Sequence, residues 1–227
     1  RALARRLHAT YLDTGALYRA VTLAALRKGI PITDGERVAK LAKSLAIRIL
    51  PPAPGEDRER ILLDGEDVTA AIRSQEVDAV VSKVAAIPEV RAALLPIQRD
   101  LASKGHVVMA GRDITTVVVP DAGVRIYLNA SPEERARRRY VELQSRGCHT
   151  DYETVLREIR QRDLADMSRP VAPLRAAPGV TIVETDGRTI SEIVEEIAQL
   201  ALRVWKEQCG EDGSISSDSA RDTSAGC

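Results

Sequence analysis

His106-Val107-Val108-Met109-Ala110-Gly111-Arg112-Asp113 is the stretch whose reading decides the fold. A short apolar run closed by glycine reads as a buried parallel strand. Arg112 and Asp113 then leave that strand at its carboxyl end, where open α/β sheets place their ligands. Gly111 permits a tight turn or close backbone approach, Arg112 presents a planar five-donor fork suited to phosphate, and Asp113 offers acceptors. Taken alone, Gly-Arg-Asp is equally a strand end followed by a surface ion pair.

Working outward, the chain alternates strand and helix. Residues 1–7 read as the tail of a helix, with Leu3 and Leu7 four apart, and Thr10-Tyr11-Leu12-Asp13 as a short strand. A periodic run over 16–27 follows, ended by Gly29 and Pro31, so Asp13 and Thr14 fall at a strand-to-helix junction with Tyr18 and Arg19 one turn beyond. Alone, Tyr18 is an ordinary half-buried aromatic. Val38, Leu41, Ala42 and Leu45 predict a helix over 34–45. The texture then changes: 47–50 and 61–65, joined by a turn-rich segment, read as two antiparallel strands inserted in the alternating pattern. Residues 67–73, 76–86 and 88–103 read as helical, and Pro96 should kink or split the last of these.

Beyond Asp113 comes the run Val117-Val118-Val119-Pro120, then a strand over 124–128. Ser131-Pro132-Glu133-Glu134 marks a helix start, with Ser at the N-cap, Pro first inside and Glu three past the cap. That helix carries Arg135, Arg137, Arg138 and Arg139, either a solvated face or an arm closing over a polyanion. A helix over 151–166 brings Arg162 and Asp166 to one face, with Arg169 on it if the helix persists; intrahelical salt bridges would explain the same spacing. A last strand over 180–184 and a terminal helix capped by Thr189 and Glu192 complete the pattern, and 210–227, rich in Ser, Asp, Gly and Ala, reads as a disordered tail.

Composition narrows the function classes. With 227 residues, 44% hydrophobic and 29% charged, the chain can bury one sizeable core or a core with an insertion. The 33 basic and 33 acidic residues cancel, so any anion site is a local concentration of charge. Zero net charge, five Tyr and one Trp give little for nucleic-acid stacking, so no nucleic-acid partner is expected. Only six of the basic residues are Lys, and an arginine excess suits bidentate phosphate recognition or reflects a compositional bias. Cys148, Cys209 and Cys227 form neither a Cys-x-x-Cys pair nor a cluster with His, which predicts no protein-held metal and no disulfide framework; a reducing cytoplasm fits, and no span or signal segment predicts membrane association. A monomer is expected. Because the first residue is Arg, an upstream segment is expected to be missing from the sequence as written.

Several separated motifs are decisive together: Leu12-Asp13-Thr14-Gly15-Ala16-Leu17-Tyr18-Arg19; Gln75-Glu76-Val77 with Ser82 and Arg91; Gly111-Arg112-Asp113 with Pro120-Asp121-Ala122; and 162–169 leading into Val171-Ala172-Pro173-Leu174. In order and spacing, from Arg1 to about Trp205, the chain resembles the bacterial-type cytidylate kinases, nucleoside monophosphate kinases of the P-loop family. The resemblance implies an α/β fold with a doubly wound parallel sheet, a kinase domain over 1–209, an inserted monophosphate-binding region over about 30–105 and a short lid over about 135–150. It implies transfer of a phosphoryl group from ATP, with Mg²⁺, to CMP or dCMP. Ser82, Arg91 and Asp113 would read the cytosine edge and Arg162 and Asp166 the ribose. Arg19, Arg112 and Arg169 would hold the acceptor phosphate and act in catalysis, Asp13, Thr14 and Tyr18 would line that site, and the lid's Arg135 and Arg139 would meet the donor phosphates.

Three departures stand against the family pattern. The phosphate-cradling Gly-x-x-x-x-Gly-Lys-Ser/Thr loop is absent from the sequence as written, and the family carries it just upstream of the helix that begins at Arg1. Thr115 stands where the family usually has Gly, and Pro96 falls in a helix the family keeps continuous. The first departure leaves an alternative to the enzyme: a catalytically inactive fragment that binds CMP.

Overall fold

A computed structural model describes residues 1–56, 58–145, 147–168, 171 and 174–209. The segments Ala2–Arg6 (α1), Thr10–Asp13 (β1), Gly15–Arg27 (α2) and Gly35–Ser44 (α3) open the chain. Ile47–Leu50 (β2), Arg60–Leu63 (β3) and Glu66–Asp67 (β4) follow, then Gln75–Ala86 (α4), Pro88–Ala102 (α5) and Val107–Ala110 (β5). Ile126–Asn129 (β6), Pro132–Ser145 (α6), Tyr152–Met167 (α7), Thr181–Glu184 (β7) and Ile190–Cys209 (α8) complete it.

The strand read after His106 forms and pairs in parallel as expected, but Val107–Ala110 are only half-buried, so the burial expected of it is not met. β1 and β5 run parallel, with Thr10 opposite Val107 and Asp13 opposite Ala110, so their carboxyl ends finish side by side. β6 and β7 form a second parallel pair, from Ile126 opposite Thr181 to Asn129 opposite Glu184. Parallel partners need crossover connections, and helices supply them here, which makes the architecture α/β. The inserted segment is antiparallel: β2 pairs with β3, and β3 with β4 across the turn at Asp64 and Gly65. Asp64 adopts φ 50° and Gly65 φ 90°, the left-handed geometry that a two-residue hairpin requires.

Local chemistry sets several helix ends. Ser131 accepts from the Glu134 amide at 3.2 Å. Thr189 and Glu192 form a reciprocal box, Glu192 accepting from the Thr189 amide at 2.8 Å and Thr189 from the Glu192 amide at 3.3 Å. Asp34, Ser74 and Asp151 cap α3, α4 and α7 in the same way.

The main core gathers α2 with α3, β2, β3, α4 and α5, through Leu17, Val21, Val38, Ile61, Ile72, Val77, Val84, Val90 and Leu94, all almost wholly buried. With no Phe in the chain, small aliphatics fill this space, and α2 contributes a nearly unbroken buried run from Ala16 to Ala25. α6 and α7 pack on each other around Ala136, Val155 and Leu156, with Leu143 and Ile159 half-buried beside them and Tyr140 and Tyr152 edge to face at 6.4 Å.

Two sequence expectations are revised. Of the two outcomes expected at Pro96, a kink or a split, the split does not occur: α5 continues from Pro88 to Ala102. One backbone bond is lost there, while Val90, Arg91, Leu94 and Gln98 remain buried along the helix and anchor both halves. Residues 67–73 are not one helix, because Asp67 pairs with Leu62 in β4 and only Ala71–Arg73 form a 3₁₀ turn. The expected tail over 210–227 lies outside the described residues.

Candidate functional site

The adjacent carboxyl ends of β1 and β5 build the floor of the site. Thr14, buried just past β1, donates both its amide, at 3.0 Å, and its hydroxyl, at 3.1 Å, to the carbonyl of Ala110. Asp13 turns its carboxylate back to accept from the amide of Gly15 at 3.0 Å, the first residue of α2. Gly111 is required by close packing: a Cβ there would collide with the Thr14 hydroxyl and lie 2.8 Å from the Ile114 side chain. The segment after it, Ile114–Val118, winds as a π-helical turn in which the amide of Val119 reaches the carbonyl of Ile114 at 2.8 Å. Arg99 of α5 fastens this turn by donating to the carbonyls of Val117 and Val118 at 3.0 and 3.2 Å. Thr115 is thus accommodated in a regular, if uncommon, turn.

Above that floor, Arg91 of α5 and Asp113 form a buried ion pair, their side chains 8% and 6% exposed. Arg91 also donates to the carbonyl of Ala85 at 3.0 Å and lies 5.4 Å from the ring centre of Tyr18. A buried charge pair contributes little net stability after desolvation, but removing one partner strands the other, at a cost of about 3–5 kcal/mol. The pair lines a cavity of about 200 Å³ with Tyr18, Leu95, Gln98 and Val117. Ser82, half-buried on α4, stands one turn before Ala85 on the same helix.

A second group of charges adjoins this one. Arg112 donates to Asp166, which is buried at the end of α7 and hydrogen-bonds through its carbonyl to the amide of Leu174 at 2.9 Å. Arg162, one turn earlier on α7, stands 3.9 Å from the same carboxylate. Its pKa is pulled down, first by loss of surrounding water and then by the positive charge of Arg112, with Arg19 also acting on it. Guanidiniums from the strand end and from α7 therefore converge on one carboxylate, Asp166. Arg19 of α2 donates to the carbonyl of Ile72 at 3.1 Å and to Asp78 of α4 at 2.5 Å. Arg169 and the Ala172-Pro173 part of its motif lie outside the described residues.

The arginines of α6 point in separate directions. Arg135 makes a two-pronged bond to Asp163 of α7, at 2.8 and 2.6 Å, which holds its pKa up through that hydrogen bond. Arg138 reaches the carbonyl of Thr185 at 2.6 Å, Arg139 reaches Asp78 at 3.1 Å and Glu142 at 2.8 Å, and Arg137 stays on the solvent side with Glu134. Only Arg137 answers to a plain solvated face. Asp78, Asp163 and Gln98 carry no motif that marks them in the sequence. Their one local signal is placement: Asp78 precedes Ser82 by one helical turn, and Gln98 follows Arg91 by two.

No group of three or more His, Cys, Asp or Glu side chains able to hold a metal ion occurs among the described residues, so the side chains present do not fit a protein-built Mg²⁺ cage. A larger cleft of about 350 Å³, bordered by Arg125, Thr181 and Leu200, lies apart from these charges. No helix among the described residues is long and apolar enough to cross a membrane.

Comparison with known proteins agrees with this geometry. The family model described as cytidylate kinase matches residues 1–203. A cytidylate kinase of Carboxydothermus hydrogenoformans is 45% identical over 203 residues, covering 89% of this chain and 90% of the relative. One from Exiguobacterium is 46% identical over 204 residues, 90% of each, and one from Mycobacterium avium 46% identical over 199 residues, 87% of this chain and 86% of the relative. Similarity of that depth, with the family model matching residues 1–203, makes this chain a member of the cytidylate kinase family of nucleoside monophosphate kinases.

Proposed function

We propose that this protein transfers a phosphoryl group from ATP to CMP or dCMP, giving CDP or dCDP. The observation that carries the reading is the cavity of about 200 Å³, with a buried Arg91–Asp113 pair in its wall, and Arg112, next in sequence to Asp113, sharing the Asp166 carboxylate with Arg162. A pyrimidine fits that volume. Cytosine offers a ring nitrogen and a carbonyl as acceptors and an amino group as donor; Arg91 supplies donors, Asp113 acceptors and Ser82 a hydroxyl. A base without this pattern leaves the pair unsatisfied, which gives selectivity. Arg162 and Asp166 take the ribose, while Arg19, Arg112 and Arg169 take the acceptor phosphate, beside Asp13, Thr14 and Tyr18. Arg135 and Arg139 of α6 face the donor.

The acceptor oxygen is already ionised at neutral pH, so no general base is needed. The obstacle is repulsion between two polyanions brought into line. Arg19 and Arg112 lower it by donating hydrogen bonds to the phosphoryl oxygens as negative charge develops there; in the nucleotide-free chain Asp78 and Asp166 hold these two side chains. When bound, Mg²⁺ would bring charge neutralisation with the donor phosphates.

Calorimetry and a coupled ADP assay test the reading. CMP should bind and be phosphorylated well above UMP. Arg91→Ala should weaken CMP binding by roughly 30-fold or more, because it removes a charged hydrogen-bonding partner and strands Asp113. Equal handling of CMP and UMP, or wild-type CMP affinity in Arg91→Ala, would reject the assignment. CMP binding without ADP formation would favour the inactive binding module.

A further inference from the structure

Asp78 sits where two regions of the molecule meet. One carboxylate oxygen accepts from Arg19 of α2 at 2.5 Å and the other from Arg139 of α6 at 3.1 Å. All three side chains are a quarter to a third exposed, so the bridge is partly shielded yet reachable from solvent. Asp78 and Ser82 are four residues apart on α4, so they share one face of that helix, the face proposed to meet the nucleotide. The charge of Asp78 also acts on Arg162, alongside that of Arg19. A single carboxylate thus meets arginines assigned to two different phosphates.

We propose that Asp78 is an internal stand-in for a nucleotide phosphate: it neutralises Arg19 and Arg139 in the nucleotide-free chain, ties α6 to α2, and surrenders both arginines when phosphates arrive. The inference rests on the phosphate roles proposed for Arg19 and Arg139. A carboxylate makes to a guanidinium the same kind of charge-assisted bond that a phosphate makes, with fewer acceptor oxygens and less charge. Before nucleotide binds, Asp78 lowers the repulsion between its two arginines and holds α6 close. Once CMP occupies the site, the same carboxylate is a competitor for Arg19 and an anion beside an anion. Asp78 is in this sense a positioning residue whose presence reduces nucleotide affinity.

The decisive measurement is CMP affinity by calorimetry for wild type, Asp78→Asn, Asp78→Ser, Asp78→Glu and Arg19→Ala, with hydrogen exchange of α6 in the nucleotide-free protein. Asp78→Asn and Asp78→Ser should bind CMP about five- to tenfold more tightly than wild type, since the arginine no longer leaves a charged partner. Amides of α6 should exchange faster in both variants, and Asp78→Glu, which restores the charge, should return both readouts toward wild type. A merely structural aspartate predicts weaker CMP binding on removal, not tighter. If wild type binds CMP and Arg19→Ala weakens that binding, unchanged or weaker affinity in both Asp78→Asn and Asp78→Ser overturns the role of Asp78 alone. If wild type does not bind CMP, or Arg19→Ala leaves affinity unchanged, both this inference and the functional reading fall.

Discussion

The α2–α5 region and the α6–α7 pair are held together by different means. The first buries a continuous set of aliphatic side chains from helices and strands, with buried charges paired, as in Arg91–Asp113 and Arg1–Glu59. The second buries three apolar residues among those described, beside Asp166, and depends on charged clasps: Arg135 with Asp163 between its helices, Arg138 to the Thr185 carbonyl, and Arg139 to Asp78. Apolar packing is insensitive to salt and fixes one arrangement; exposed ion pairs are individually weak and screened. The α2–α5 region is therefore the better-packed seat, and the α6 arginines proposed to meet the donor ride on a pair of helices held largely by polar contacts. That division suits a reaction in which one substrate is read in detail and the site must close over charge.

The sharpest way to break this comparison is to damage the seat. Leu17 is completely buried in α2, and Leu17→Ala leaves a cavity that close-packed neighbours fill only in part. Chemical denaturation should show a loss of about 2–5 kcal/mol, a larger effect than any change to the clasps should produce. A loss under about 1 kcal/mol would mean that the α2 core is loosely packed and that the contrast with α6–α7 is overstated.

How far the sequence disclosed these two regions follows from the range of the forces involved. Local signals read well: the β5 strand, the Ser131 and Thr189 caps and the antiparallel insertion all come from neighbours within a few residues, and all are present. Tyr18, Arg91 and Asp113, drawn from three separate motifs, do line one cavity. The partners of the arginines were not legible. Asp78 lies 59 residues from Arg19 and 61 from Arg139, and Asp163 lies 28 from Arg135, so no periodicity connects them. Nor does sequence pattern announce the π-helical turn after Asp113, or show that buried residues on both sides of Pro96 would keep α5 whole. Propensity counts one lost hydrogen bond; packing decides whether it matters.

A gentler test addresses the clasps. Arg135 is 36% exposed at its side chain and Asp163 19%, so their bidentate bond is partly screened. Arg135→Ala should cost at most about 1 kcal/mol in global stability. Its clearer signature is local: α6 and α7 amides should exchange faster, with α2 and α5 unchanged. Raising salt from low to roughly molar concentration should move wild type in the same direction, since the screening length falls to about 3 Å. Acceleration spread equally over α2 and α6 would show that the molecule opens as one unit, with no separate seat and clasps.

The smallest effect concerns acid. Glu133 and Glu134 in the first turn of α6 have lowered pKa values, Glu133 through backbone hydrogen bonding and then Arg160, Glu134 chiefly through Arg137. Asp151, the cap of α7, is lowered by the Thr154 amide and hydroxyl. A carboxylate depressed in the folded state stabilises it above the unfolded pKa, about 4, and that contribution drains away as pH falls through the folded value. Glu133 and Asp151 are exposed and Glu134 is partly covered, so each contributes weakly, but they act on the starts of two helices with little apolar support. The α2–α5 region carries its own depressed carboxylate, Asp67 at about 2, held down by Thr69 and then Arg60. It decorates a turn beside a large core, so its protonation has little to release. On acidification below pH 4, exchange in α6 and α7 should therefore rise before that in α2 and α4, and Glu134→Gln should reduce the pH dependence of the α6 signal. If both regions instead loosen together at one pH, the core and the clasps belong to a single cooperative unit, and the greater burial of α2–α5 would not translate into independent rigidity.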